Sequence, residues 1–157
     1  MKAPIPQRLK ILIAEDDPND RKLLAAAAHG EDFGEWFVVD DGQELIEYLR
    51  GTGKFGDRRL HPFPDLVVLD LMMPLMTGME VLEWIRKESD WPQLPVLLLS
   101  GSGMERDVEE AYRLGANGYF QKPYSNVDLK AVLRVIVDYW VFCEKPKRKK
   151  DDGVISG

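Results

Sequence analysis

Two uninterrupted apolar runs, Ile11-Leu12-Ile13-Ala14 and Leu66-Val67-Val68-Leu69, end directly in acid: Glu15-Asp16-Asp17 follows the first and Asp70 the second. Runs this short, with no polar alternation, suit strands buried on both faces, as in a parallel sheet covered by helices. A third run, Val96-Leu97-Leu98-Leu99, follows Pro95 and opens into Ser100-Gly101-Ser102-Gly103, and two weaker strand candidates lie at 36–39 and 118–121.

Helical spacing fills the intervals. Leu23, Leu24 and Ala27 mark a first helix, Leu45, Ile46 and Leu49 a second, Val81, Leu82 and Ile85 a third, and Val108, Ala111 and Tyr112 a fourth. The last covers about 125–142, where Leu129, Val132, Leu133, Ile136, Val137 and Trp140 trace one stripe. Gly30, Gly51 and Gly115 stand where left-handed caps would close helices one, two and four. Asp17, followed by Pro18, reads as the cap of the first helix. Five strand–helix alternations predict an α/β fold, doubly wound around a five-stranded parallel sheet with right-handed crossovers. The stretch 51–64 reads as a long connection into the third strand.

The chain has 157 residues, 45% hydrophobic and 31% charged, which fits one folded domain with its own core. The expected division is an N-terminal extension at 1–7, the domain at 8–143, and a basic then acidic tail at 144–157. A net charge of −6 argues against nucleic acid as a principal partner. Lys145, Lys147, Arg148, Lys149 and Lys150 form a local basic run, read as a solvated tail. Cys143 is the only cysteine, so an intramolecular disulfide and a cysteine-rich zinc site are excluded. No apolar run reaches the ~18 residues that span a bilayer, and the prolines near the N-terminus do not fit a signal peptide. No membrane partner and a cytoplasmic location are the expectations.

In an open parallel sheet, ligands bind at the carboxyl ends of the strands. Here those ends carry Glu15-Asp16-Asp17, Asp70, Ser100 and Lys122-Pro123. Clustered carboxylates require a raised pKa or a cation. Magnesium suits such a pocket, with Asp16 and Asp70 as direct ligands, Glu15 acting through water and the backbone carbonyl of Met72 as a further oxygen. Asp70 could then attack phosphorus in line to form an acyl phosphate, with Lys122 and Ser100 contacting the phosphoryl oxygens. His29 and His61 are isolated from other ligand residues, Trp84, Trp91 and Trp140 read as packing residues, and Gly101-Ser102-Gly103 lacks a nucleotide-binding pattern.

Glu15-Asp16, Leu69-Asp70-Leu71-Met72-Met73-Pro74 followed by Gly78, Ser100 and Lys122-Pro123 together resemble the receiver domain of response regulators, from about Arg8 to Phe142. The resemblance implies a CheY-like, flavodoxin-like (βα)5 fold with strand order 2-1-3-4-5. It implies Asp70 as phosphoacceptor, Glu15 and Asp16 serving Mg2+, Ser100 as switch hydroxyl, Lys122 as phosphate sensor and Tyr119 as switch aromatic. It also implies a cis bond at Lys122–Pro123, which the sequence alone does not favour. Within the family, the long connection before strand three and the Tyr139-Trp140 pair are similar to the small regulators of cyanobacterial and bacterial phytochromes. A sensor histidine kinase, such as a phytochrome, is then the implied phosphodonor.

The expected protein is a single-domain regulator that catalyses only its own phosphorylation and dephosphorylation, and signals by altered binding. A second apolar series on the last helix, Val135, Tyr139 and Phe142, suggests a homodimer. The family makes the positions of Met72 and Ser102 matter for dephosphorylation, and an apolar Met72 implies a long-lived phosphoryl group. Two alternatives stand beside this reading. An aspartate-nucleophile phosphatase would want a second carboxylate where Met72 stands, and a degenerate interaction module would lack the acids that are present.

Overall fold

A computed structural model describes residues 8–30 and 33–146. Its elements alternate as β1 (Lys10–Ala14), α1 (Pro18–Ala27), β2 (Glu35–Val39), α2 (Gly42–Arg50), β3 (Leu66–Leu69), α3 (Gly78–Lys87), β4 (Val96–Ser100), α4 (Glu105–Arg113), β5 (Gly118–Gln121) and α5 (Asn126–Phe142). The five strands form one parallel sheet in the order β2-β1-β3-β4-β5. This is the flavodoxin-like architecture expected above. The extension at 1–7 and the tail from Lys147 onward lie outside the described residues.

The continuous apolar runs are explained by two cores, one on each face. Successive strand side chains point to opposite faces, so Leu12, Ala14, Val67, Leu69, Val96 and Leu98 pack with Leu45, Leu49, Val81, Leu82, Ile85 and Ala111. Their neighbours Ile11, Ile13, Leu66, Val68, Leu97 and Leu99 pack with Leu24 and Ala27 of α1 and Leu129, Leu133, Ile136, Val137 and Trp140 of α5. A strand between two helical layers has no solvent face on which to put a polar residue. Leu23 and Tyr112, read from spacing as stripe members, instead stand exposed.

Side-chain caps fix where four helices start. Asp17 Oδ1 accepts from Asn19 N at 2.7 Å, Asp41 Oδ1 from Glu44 N at 2.8 Å, Thr77 Oγ1 from Glu80 N at 3.2 Å and Ser125 Oγ from Asp128 N at 3.1 Å. Gly51 closes α2 in the left-handed region at φ 68°. Helix α1 differs from expectation: its cap is Ala28, whose N–H reaches Leu24 O at 2.8 Å, and Gly30 lies two residues beyond. After α5, Lys145 Nζ donates to Trp140 O at 2.6 Å and Cys143 O at 2.9 Å, satisfying carbonyls at the end of that helix.

The connection at 51–64 holds a short 3-10 turn, Gly53–Phe55, and is tied back to α2. The Arg58 guanidinium donates to Tyr48 O at 2.7 Å and Leu49 O at 2.7 Å, while the His61 ring packs edge-on against Tyr48 and Phe55. His61 is therefore a packing ring. No cis peptide bond occurs among the described residues, so Lys122–Pro123 is trans, the ordinary state of an X–Pro bond. Among the described residues, no helix is long and apolar enough to cross a membrane.

Candidate functional site

The sheet brings four chain segments to one edge. Glu15 follows β1, and its N–H continues the ladder to Val39 O at 3.1 Å. Asp70 follows β3, Ser100 ends β4, and Lys122 follows β5 with its N–H on Ser100 O at 2.6 Å. Directly behind Asp70, Gly78 opens α3 where a Cβ would come 2.3 Å from the Asp70 carbonyl oxygen, so only glycine lets α3 approach this closely.

The Lys122 ammonium stands at the centre of the site. Its Nζ donates to Asp70 Oδ2 at 2.9 Å, Glu15 Oε1 at 2.8 Å and Asp20 Oδ2 at 3.1 Å. The side chains grade from dry to wet: Glu15 is 1% exposed, Asp70 13%, Lys122 14% and Asp20 33%. The other oxygen of Asp70, Oδ1, accepts from Met72 N at 3.1 Å.

Three carboxylates thus share one ammonium, and the charge does not balance. Burial, reinforced by the neighbouring Asp20 and Asp70 carboxylates, pushes Glu15 up to about 8 against the pull of Lys122. For Lys122, burial opposes the charged form, but Glu15 and Asp70 outweigh it and hold the ammonium above the usual lysine range. Asp20 is drawn below the ordinary carboxylate range, because hydrogen bonds from Glu15 and Lys122 exceed its modest burial. Glu15 is accordingly the member that carries a proton when the pocket is short of positive charge. Its second oxygen, Oε2, is buried and accepts no hydrogen bond from any neighbouring group. An orphaned buried oxygen, with Glu15, Asp20 and Asp70 presenting oxygens within 4.8 Å of one another, is the donor chemistry of a hard divalent cation.

Of the residues singled out in the sequence, Glu15, Asp70 and Lys122 meet directly. Ser100 is fully buried on the adjoining strand, where its Oγ accepts from Ser102 N at 3.3 Å. Tyr119 is half-buried and donates its hydroxyl to Ser102 O at 2.7 Å, so Ser102 touches both expected switch residues. Met72 exposes its side chain and meets Asp70 through its backbone N–H. Asp16 is half-buried and stands outside the three-carboxylate group. The member that sequence reasoning missed is Asp20. Its only signal is position, in the first turn of a helix that starts at the acidic edge of the sheet, and that reads equally well as a carboxylate placed for the helix dipole.

Comparison with known sequences decides the family: residues 11–134 match the response regulator receiver domain. The chain belongs to that family. As a receiver-domain response regulator it is a component of two-component signalling. It is 30% identical over 132 residues to the response regulator Rcp1 of Synechocystis, covering 83% of this chain and 88% of Rcp1. To Rre1 of the same organism it is 27% identical over 126 residues, covering 80% of this chain but only 50% of Rre1, so the chain spans half the length of that relative. Among solved structures, the phosphorylated cyanobacterial phytochrome response regulator RcpA superposes with a TM-score of 0.78 at 32% identity, covering 89% of this chain and 99% of RcpA. The Mn(2+)-bound form of Rcp1 superposes with a TM-score of 0.75 at 29% identity, covering 88% of this chain and 99% of Rcp1. The structural neighbours of this receiver include regulators of the Rcp1 and RcpA type as well as CheY-like receivers.

Proposed function

We propose that this response regulator accepts a phosphoryl group on Asp70 from a sensor histidine kinase and signals by altered protein–protein binding. The observation that carries the reading is the Lys122 ammonium on Asp70 Oδ2, beside the under-neutralised Glu15. An oxygen of Asp70 attacks phosphorus in line as the bond from phosphorus to the donor's imidazole nitrogen breaks, leaving an acyl phosphate and a neutral histidine. Lys122 neutralises charge on the transferring oxygens, while Met72 N holds Asp70 Oδ1 and orients the nucleophile. Glu15, Asp16, Asp70 and the carbonyl of Met72 would hold Mg2+, which when bound supplies charge neutralisation for the incoming phosphate.

In this reading the new charge on Asp70 draws the Ser100 hydroxyl, and the movement passes through Ser102 to the Tyr119 hydroxyl. The face made by α4, β5 and α5 then changes shape. It already exposes Tyr112, Val135, Tyr139 and Phe142, and a homodimer through α5 would cover the last three. Sedimentation showing only monomer at tens of micromolar protein, with and without a phosphate mimic, would rule that dimer out. A phytochrome kinase is the donor class suggested by the likeness to RcpA. The reading puts the relay in the cytoplasm, without nucleic acid or membrane partners, and gives the protein no turnover beyond its own phosphoryl group. A phosphatase of the aspartate-nucleophile class is disfavoured by Met72, which cannot serve as acid or base.

The test is incubation with acetyl phosphate and Mg2+ followed by intact-mass measurement. The wild type should gain about 80 Da, one phosphoryl group, and Asp70→Asn should not. An equal gain in Asp70→Asn, or none in a wild type that binds the cation, would overturn the reading.

A further inference from the structure

The receiver pattern assigns no role to a residue in the first turn of α1, yet Asp20 enters the pocket. Asp17 already caps this helix, and the Asp20 contribution to the cap is its backbone N–H, 3.4 Å from Asp17 Oδ1. That leaves its carboxylate free of any capping duty. Instead Asp20 Oδ2 reaches Lys122 Nζ at 3.1 Å, and one Asp20 carboxylate oxygen falls within 4.8 Å of an oxygen on each of Glu15 and Asp70. Of the two acids that the resemblance assigns to Mg2+, Glu15 is in this group and Asp16 is not.

A second observation points to a missing positive charge rather than to a self-sufficient ion-pair network. Glu15 is 1% exposed, and its Oε2 has no hydrogen-bond partner although it belongs to the same group. Three carboxylates converge on a single ammonium, and a divalent cation supplies the positive charge that this donor set lacks.

We propose that Asp20 is a further carboxylate of the divalent-cation cradle, holding the ion together with Glu15, Asp70 and the other oxygens named above. This rests on the reading of the pocket as cation-dependent and adds a ligand residue to it. In the cation-free protein Lys122 occupies the acidic centre; cation binding at Asp20 and Glu15 releases the ammonium from them and leaves it on Asp70, where the phosphoryl group arrives. Asp20 thereby couples ion binding to the position of Lys122.

The experiment is equilibrium binding of Mn2+ to the full, unphosphorylated chain, followed by loss of the free-ion electron paramagnetic resonance signal. Asp20→Asn and Asp20→Glu are compared with wild type, and circular dichroism confirms the fold. The expected result is weakening by about tenfold or more in Asp20→Asn, with most of the affinity restored in Asp20→Glu. Affinity in Asp20→Asn within twofold of wild type would overturn the proposal while leaving the phosphoacceptor reading intact. Equal weakening in both variants would overturn it too, since it would mark a structural role. A wild type that binds no Mn2+ would remove both the proposal and the cation part of the reading beneath it.

Discussion

Replacing Glu15 by Gln should stabilise the cation-free protein. Glutamine keeps an acceptor for the Lys122 ammonium, places at the Oε2 position a donor that can face Asp20 or Asp70, and reproduces the neutral side chain at a site 1% exposed without having to take up a proton. The magnitude follows from linkage. The Glu15 pKa is about 8 in the folded chain, against an ordinary value of 4.5. At pH 7 the unfolded chain has released this proton and the folded chain retains it, so folding carries a penalty of about 3 kcal/mol at that pH. The penalty is absent below about pH 4.5, grows as pH rises, and levels off above about pH 8. Glu15→Gln should therefore be more stable than wild type by about 2–3 kcal/mol near neutrality, with the advantage shrinking toward pH 4.5. For a chain of this size that is a rise of roughly 5–10 °C in Tm. Urea and thermal unfolding in a chelator at pH 5, 7 and 8.5 would measure it, and adding Mg2+ should narrow the gap by stabilising wild type. A variant less stable than wild type at pH 7, or an advantage independent of pH, would refute the electrostatic account.

Arg86 donates to the carbonyls of Gly115, Pro92 and Leu94 and to Asn117 Oδ1, joining α3 to the approaches of β4 and β5. Arg86→Ala strands several of these acceptors and should cost about 3 kcal/mol, read as a lower urea midpoint with phosphorylation chemistry retained. Leu75 is 90% exposed in the β3–α3 loop and sits at φ 67°, a left-handed conformation that disfavours side chains by about 1–2 kcal/mol. Leu75→Gly should therefore raise Tm by a few degrees; a fall in Tm would contradict the strain argument. The exposed thioether of Met72 is only a weak acceptor and orients an attacking water poorly, so the phosphoryl group should be long-lived and Met72→Asn should shorten its lifetime. Loss of the group from purified wild type within seconds would refute this.

Much of the architecture is legible because parallel strands leave a blunt signal. Burial of both faces forces runs such as Leu66-Val67-Val68-Leu69, and each run stops where the sheet meets the polar edge. Asp17 and Gly51 are legible for a local reason: capping depends on residues within one turn of each other. Glu15, Asp70 and Lys122 are legible as a set because strand ends must converge. Asp20 is not, since its partner lies 102 residues away and its position in a first helical turn has an innocent explanation. The same holds for Arg86, whose partners are mainly backbone carbonyls that no side-chain pattern advertises. Leu23 and Tyr112 mislead because spacing identifies a helical stripe without saying how wide the covered face is.

The most direct test of the central claim is to locate the phosphoryl group. Wild-type protein labelled with acetyl phosphate and Mg2+ would be treated with sodium borohydride, which reduces an acyl phosphate to the alcohol, and the digested peptides sequenced by mass spectrometry. Homoserine at position 70, absent from unlabelled protein and from Asp70→Asn, is the predicted result. Reduction at any other carboxylate, Asp20 and Glu15 included, or a phosphoryl group that survives borohydride on a hydroxyl or imidazole, would contradict the assignment of Asp70 as the acceptor.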